Sequence, residues 1–365
     1  MLSAEAKRKI YRIIPFGVIW LLFSIVYTLL ERGLLGSLTR YPSSGAPYSF
    51  GYNLVFTPAF ALFTGLFLGS IEILYFNRLF AQQKFIVKII CKTIIYLVMI
   101  VLFVMTLSVT ANLVQLQASI LDARVWNYSG RFLFTFAFLS IVIFIASIIG
   151  VSLFYNEVSD NLGQGVLTNF FTGKYHTPKE EERIFMFLDM KASTTIAERL
   201  GHVTYFEMLR EYYADLSEPI INYQGEIYQY VGDEVVVSWT LQNGLHHHNC
   251  LRCFFAMKAA LQKHHHKYSE RFGLLPEFKA GFHAGKVTTG EIGTLKKEII
   301  FTGDVLNTTA RIQALCNTYN VNLLVSDHLI AQLPPDTSFN IKTLGETELR
   351  GRDEHIKLVT VELAT

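Results

Sequence analysis

Four apolar runs fill most of the first half of this 365-residue sequence, at about 13–30, 54–76, 93–112 and 132–155. Each is close to the ~20 residues a helix needs to cross the hydrocarbon core of a bilayer. No water is present there to satisfy backbone N–H and C=O groups, so runs of this kind are confined to helices. Hydrophobic residues make up 51% of the chain and charged residues only 17%, which is too apolar for an ordinary soluble protein. Residues 1–155 are therefore read as a four-span transmembrane domain seated in a lipid bilayer. The first run is not read as a cleavable leader: it is long, lacks a clear small-residue cleavage site and is followed by three more spans.

Basic residues orient the spans. Lys7, Arg8, Lys9 and Arg12 precede the first, and Arg78, Lys84, Lys88 and Lys92 lie around the second connection. The other two connections carry only Arg32 and Arg40, and Arg124 and Arg131. Since basic residues favour the cytoplasmic side, both termini are expected there. Glu72 is the carboxylate lying well inside an apolar run; pairing with Lys88 or Lys92 is expected of it ahead of a sensing role. The segment 40–53 is rich in turn formers and faces outward, as a connector or a site for an unidentified upstream ligand. The net charge of +2 gives no case for nucleic-acid binding.

Residues 156–183 change composition sharply and read as a linker. VSDNLGQGVLTNFF suits a short amphipathic helix, and GKYHTPKEEER a charged connector that ends where the first strand begins.

Beyond it, IFMFLDM at 184–190 and GEIYQYVGDEVVVSW at 225–239 read as apolar strands that deliver one carboxylate each, Asp189 and Asp233. Buried carboxylates are costly unless a cation or a proton lies between them. An oxygen-only donor set suits a hard divalent ion, Mg²⁺ or Mn²⁺, shared with substrate phosphates. Ser193 and Thr194 signal the start of a helix to about 217, with Ile196, Leu200, Phe206, Leu209 and Tyr213 on its apolar side. Its N-terminus favours phosphate.

A helix over about 247–271 carries the triplets His246–His248 and His264–His266 and the pair Cys250 and Cys253. Consecutive histidines diverge on a helix and no second cysteine pair follows, so these are read as surface and core residues, with soft-metal binding as the lesser reading. PEFKAGFHAGKVTTGEIG at 276–293 reads as a hairpin turning at Ala284–Gly285, with His283 structural at a strand end. FTGDVLNTTARI at 301–312 reads as a strand, a Gly303–Asp304 turn and a helix that projects Asn307 and Arg311 from one face. A strand, a helix and a closing hairpin complete the chain.

These three carboxylate- and Asn/Arg-bearing segments, in this order and spacing, resemble class III nucleotidyl cyclases, the adenylyl and guanylyl cyclases. The resemblance runs from about Arg183 to the C-terminus. It implies an α+β catalytic domain with a ferredoxin-like βαββαβ core over 184–365, behind the four-helix transmembrane domain. It also implies two Mg²⁺ or Mn²⁺ ions on Asp189 and Asp233, with ATP converted to cyclic AMP and pyrophosphate at a homodimer interface. Asn307 would orient the ribose and Arg311 would stabilise transition-state charge. Gln229 and Ile300 occupy the positions that read the base, and they match neither usual pair, so GTP stays open. Arg350 or Arg352 stands where the family has a phosphate-binding lysine. The alternatives are a guanylate cyclase and a catalytically silent nucleotide-binding membrane receptor. VGDEV at 231–235 is not a diguanylate cyclase signature.

Overall fold

The structure is a computed structural model that describes residues 4–40, 47–76, 80, 83–117, 119–163, 166–348 and 355–364. Arg78 and the loop residues 41–46 lie outside the described residues, as do Arg350 and Arg352. Backbone proximity divides the chain into two compact units, one spanning Ala6–Leu167 and the other containing Thr168–Thr365.

The first unit is helical: α1 (Ala4–Leu35), α2 (Phe50–Ile71), α3 (Phe85–Leu116), α4 (Ala123–Leu133) and α5 (Phe136–Leu162). α2 runs on into one π-helical turn, Glu72–Phe76. Among the described residues, four helices are long and apolar enough to cross a membrane: Glu5–Leu35, Phe50–Phe76, Phe85–Thr110 and Phe138–Leu162. The chain is thus an integral membrane protein with four N-terminal apolar helices. The fourth run is less continuous than its composition predicts. Phe132 and Leu133 belong to the short helix α4, and Thr135 starts α5 by accepting a hydrogen bond from the Phe138 N–H.

Phe16, Trp20, Leu68, Tyr96, Ile149 and Leu153 form the buried centre of this unit. Gly65 and Gly69 let α1 and α2 touch through their main chains. A Cβ on Gly65 would stand 2.7 Å from the Phe16 carbonyl oxygen, and one on Gly69 2.9 Å from Phe16 Cβ. Glu72 is fully buried and both its oxygens are satisfied, one by Lys92 Nζ at 2.5 Å and the other by Tyr96 OH at 2.7 Å. Lys88 pairs with Glu157 at 2.5 Å, and Arg12 with Asp160 and Asn156. These bonds join α1 to α5, α5 to α3, and α3 to the end of α2.

Helix α6 (Val166–Thr172) carries the chain into the second unit, which among the described residues holds eight strands with their helices. In order these are β1 (Lys179–Met190), α7 (Ser193–Leu200), α8 (His202–Asn222), β2 (Glu226–Val231), β3 (Glu234–Thr240), α9 (Leu241–Leu245), α10 (Asn249–Lys263), α11 (His265–Phe272) and β4 (Phe278–Ile292). β5 (Glu298–Thr302), α12 (Asp304–Ala314), β6 (Leu323–Ser326), α13 (Asp327–Ile330), β7 (Phe339–Glu348) and β8 (His355–Leu363) follow. The sheet order is β2-β3-β1-β4-β6-β8-β7, with β5 paired to β4. Its first four strands, with α7–α8 and α9–α11 as crossovers, make the ferredoxin-like βαββαβ core; all three pairings are antiparallel.

β1 lies inside the sheet, between β3 and β4, and alternates with period two between two buried faces. Ile184, Met186 and Leu188 join the core that includes Met208, Tyr212, Phe254 and Met257 of the helices. Phe185 and Phe187 join Val236, Val287 and Val305 on the other face. A strand buried on both sides has the continuous apolar sequence seen at 184–188.

Several expected elements differ. The linker is shorter than its composition predicts: α5 continues to Leu162, and residues 179–183 already belong to β1, paired from Lys179–Thr289 to Arg183–Gly285. Ahead of β1, the Tyr175 carbonyl accepts the Glu291 N–H at 3.0 Å, and Pro178 covers Gly290 at 3.4 Å from its ideal Cβ position. The helix expected from Ser193 to about 217 breaks at Gly201, whose φ of 75° is left-handed. Phe206 is 69% exposed, not part of the apolar side; Met208, Leu209, Tyr212, Leu216 and Ile220 are the buried stripe. His246–His248 form a tight turn before α10, with His247 and His248 at positive φ, and a second break falls at His264. No turn occurs at Ala284–Gly285: β4 is one strand that pairs with β1 along its length. Gly285 instead makes room for Val305 of α12, 3.3 Å from its ideal Cβ. His283 is consequently mid-strand, with Nδ1 2.8 Å from Ser326 Oγ.

Candidate active site

β1 ends at Met190 and carries Asp189 to the rim of the sheet. Gly232 and Asp233 form the turn between β2 and β3, with Gly232 at φ 62°. The Tyr213 hydroxyl of α8 donates to the Gly232 carbonyl at 2.6 Å and fixes that turn against the helix. β1 and β3 are neighbours, so the two carboxyl groups meet at one end of the sheet.

Electrostatics mark this end as short of positive charge. Burial pushes the Asp189 carboxyl above its ordinary range, and the Asp233 carboxylate beside it pushes further; Lys279 opposes both. Burial, then Asp189 and Asp233, raise Glu234 as well. Asp233 Oδ2 is buried and accepts no hydrogen bond. A buried carboxylate oxygen without a donor, beside a second carboxylate, is the donor set a hard divalent cation satisfies. Among the described residues no cluster of three or more His, Cys, Asp or Glu side chains forms. Two carboxylates alone would be a partial ligand set, with the remaining positions open to water and substrate oxygens.

Two residues at this site were not anticipated. Lys279 lies opposite Asp189 in the β1–β4 register, its Nζ 3.3 Å from Asp189 Oδ2. The Gln313 side chain of α12 donates from Nε2 to the same oxygen at 3.2 Å. A lysine interrupting the apolar FKAGF strand was a readable sign of the first. The second needed the packing of α12 on β4, where Gln313 N would stand 2.4 Å from a Cβ on Gly281.

Asn307 is exposed and Arg311 half-buried on the same helix, and neither side chain has a hydrogen-bond or ion-pair partner among the described residues. At 100° per residue they sit roughly 120–160° around the helix from Gln313. The helix thus shows Gln313 to Asp189 of its own chain and Asn307 and Arg311 elsewhere. Gln229 is exposed on β2, after a bulge, and Ile300 is half-buried on β5 opposite Gly290. Their neighbours touch: the Phe301 N–H donates to Tyr228 OH at 3.3 Å and the rings are 4.8 Å apart. Gln229 and Ile300 are thereby held on adjoining segments of one chain. Ser193 and Thr194 open α7 without a side-chain cap, after Ala192 in left-handed conformation.

The cysteine pair and His248 lie away from the carboxylates. Cys250 and Cys253 are buried in α10, and burial pushes the Cys250 thiol up to about 12. His248 packs within reach of the Pro334 carbonyl and Asp336.

Residues 176–362 match the family described as the adenylate and guanylate cyclase catalytic domain. The chain is 33% identical over 223 residues to Adenylate cyclase 2 of Rhizobium meliloti (strain 1021), covering 61% of each chain. It is 27% identical over 184 residues to the adenylate cyclase of Anabaena cylindrica, covering 48% of this chain and 36% of that one. It thus spans less than two thirds of the length of either relative. The fold is similar to that of a bacterial light-regulated adenylyl cyclase, with a TM-score of 0.54, 22% identity, and coverage of 63% of this chain and 67% of that one.

Proposed function

Because the chain belongs to the adenylate and guanylate cyclase catalytic domain family, we propose that it is a membrane-anchored adenylate cyclase, converting ATP to cyclic AMP and pyrophosphate in a homodimer. The membrane anchor runs through α5 to Leu162, the catalytic domain begins with β1 at Lys179, and the residues between them form the connector, with both termini in the cytoplasm. The distribution of basic residues supports that orientation.

The ribose 3′-oxygen attacks the α-phosphorus, and the bond to the β-phosphate oxygen breaks. Two divalent cations, Mg²⁺ or Mn²⁺, held by Asp189 and Asp233, supply when bound the neutralisation of phosphate charge and the acidification of the 3′-hydroxyl. Asp189 and Asp233 bring full negative charge to a site where Asp233 Oδ2 has no competing donor. Asn307 orients the ribose. Arg311 sets a planar, permanently charged fork against the phosphate oxygens as charge develops on them. Ser193 and Thr194 open a helix whose N–H groups favour phosphate, and Arg350 or Arg352 adds a further cation. Positioning and charge neutralisation account for most of the barrier reduction in such a reaction.

The observation that carries the dimer is the division of α12. Gln313 turns to Asp189 of its own chain, and Asn307 and Arg311 lie on the other side of the helix without a side-chain partner among the described residues. Each copy therefore offers half of one site and half of another.

ATP is the substrate suggested by the names of the relatives. GTP is the second reading, since the Gln229 amide both donates and accepts while Ile300 reads no hydrogen-bonding edge. The test offers ATP and GTP separately to the full-length protein in detergent with Mn²⁺ and identifies the product. Cyclic AMP supports the proposal, cyclic GMP transfers it to the second reading, and no cyclic product from either overturns both. Asp189→Ala should lower turnover by at least about 100-fold, the scale for losing a preorganised electrostatic group.

A further inference from the structure

Asp189 Oδ2 receives two donors, Gln313 Nε2 at 3.2 Å and Lys279 Nζ at 3.3 Å. The other close neighbour of this carboxyl is Asp233, within side-chain hydrogen-bond reach, and an ionised carboxylate there offers no donor. Both donors therefore hold one oxygen and leave the other for a cation. They differ in how rigidly they are held. Lys279 is a flexible ammonium that also reaches Asn317 Oδ1 at 3.2 Å. Gln313 is buried, and its own backbone is pressed against β4 at Gly281. β4 is in turn paired with β1 through Phe187–Gly281, two residues before Asp189.

We propose that Gln313 is a positioning residue: its side-chain amide fixes the Asp189 carboxylate so that Oδ1 faces the cation. This rests on the proposed cation-binding role of Asp189. An amide suits the task because it donates a hydrogen bond without adding charge to a site where Asp189, Asp233 and Glu234 already crowd one another. Groups that orient a metal ligand commonly set affinity as strongly as the ligand's own chemistry does. The same helix carries Arg311 on its other side, so a change at position 313 has two possible routes to activity, and only one runs through Asp189.

The test replaces Gln313 by Met, which keeps length and removes the donor, in the full-length protein in detergent. Mn²⁺ alone is the probe, followed by electron paramagnetic resonance, with a cation-free melt confirming that the variant is folded. The dissociation constant for Mn²⁺ should rise by roughly 10–100-fold. An unchanged constant in a folded variant overturns the proposal. If Gln313→Met does not fold, Gln313→Leu takes its place under the same criterion. Absence of Mn²⁺ binding in the unmodified protein, or binding that survives Asp189→Asn, instead refutes the cation role on which the proposal rests.

Mixed dimers separate the two routes. Chains carrying Asp189→Asn and Arg311→Ala, inactive alone, should form one working site together. Its Asp189 comes from the Arg311→Ala chain. Gln313→Met placed in that chain should lower the regained turnover, and the deficit should be smaller when it is placed in the other. A deficit that follows the chain supplying Arg311 overturns the proposal in favour of a role in supporting α12. If the mixture regains nothing while Gln313→Met still weakens Mn²⁺ binding, the homodimer reading fails and the positioning role stands.

Discussion

Lys279 stands across from Asp189 in the β1–β4 register, with its ammonium 3.3 Å from the carboxylate oxygen Oδ2. Burial and Asp233 raise the Asp189 pKa, and Lys279 counters them. The cation-binding form of Asp189 is ionised, so turnover should climb as pH rises through its raised pKa. Lys279→Met removes the counterweight and lifts that pKa further. The acid limb of the pH–turnover profile should therefore move to higher pH, measured as kcat/KM with Mn²⁺ held below saturation.

The same raised pKa has a consequence for stability. A carboxyl group with a higher pKa folded than unfolded binds its proton more readily in the folded state, so stability falls as pH rises through that interval. At neutral pH without divalent cations, Asp189→Asn should melt at a higher temperature than the unmodified protein. Adding Mn²⁺ should reverse the order, since only the unmodified site gains binding energy.

Gly281 is where α12 rests on β4, and the obstructing atom is the backbone nitrogen of Gln313. Main chain cannot swing aside as a flexible side-chain end can. Gly281→Ala should cost about 1–3 kcal/mol, the usual scale for overpacking a core, and should weaken Mn²⁺ binding by moving Gln313. Calorimetry and Mn²⁺ titration of the same sample check both.

In the membrane unit, Lys92→Met should leave Glu72 buried and uncompensated. Removing one member of a buried pair typically costs about 3–5 kcal/mol, whereas replacing both members by apolar residues is often neutral. The double variant Glu72→Leu, Lys92→Met should therefore recover much of the loss. Thermal unfolding in detergent distinguishes the two.

Cys250 and Cys253 are buried, and Cys250 titrates at about 12. Thiolates are the reactive form. In the folded protein at pH 8 both thiols should resist alkylation, and both should react once denatured. A zinc chelator should leave the melting temperature unchanged.

The sequence was most readable where one physical constraint acts alone. The four spans follow from length and hydropathy, and the apolar strands that bring Asp189 and Asp233 to one end of the sheet follow from their composition. Glu72 with Lys92 was also within reach, since few other charges lie nearby. Misreadings occurred where a glycine served two possible ends. Gly285 looked like a turn and is a seat for Val305; Gly201 falls inside the single helix expected from Ser193 to about 217 and breaks it. Phe206 fits a helical stripe by type, yet the buried stripe passes through Met208 and Tyr212 instead. Gln313 carried no local sign, because its role depends on a contact 124 residues distant in the chain.

The seating of Tyr175 and Pro178 on Glu291 and Gly290, followed by β1 from Lys179, fixes where this polypeptide can be cut. A fragment starting at residue 184 would strip β4 of its partners from Gly285 to Thr289 and open a raw sheet edge, the kind of surface that recruits foreign strands. A fragment starting before Lys174 keeps that edge closed and the lid over Gly290 in place. A soluble catalytic fragment of this protein is thus a matter of some ten residues upstream of the first carboxylate strand's apolar run, and an inactive aggregate from the shorter version would report on the cut rather than on the chemistry.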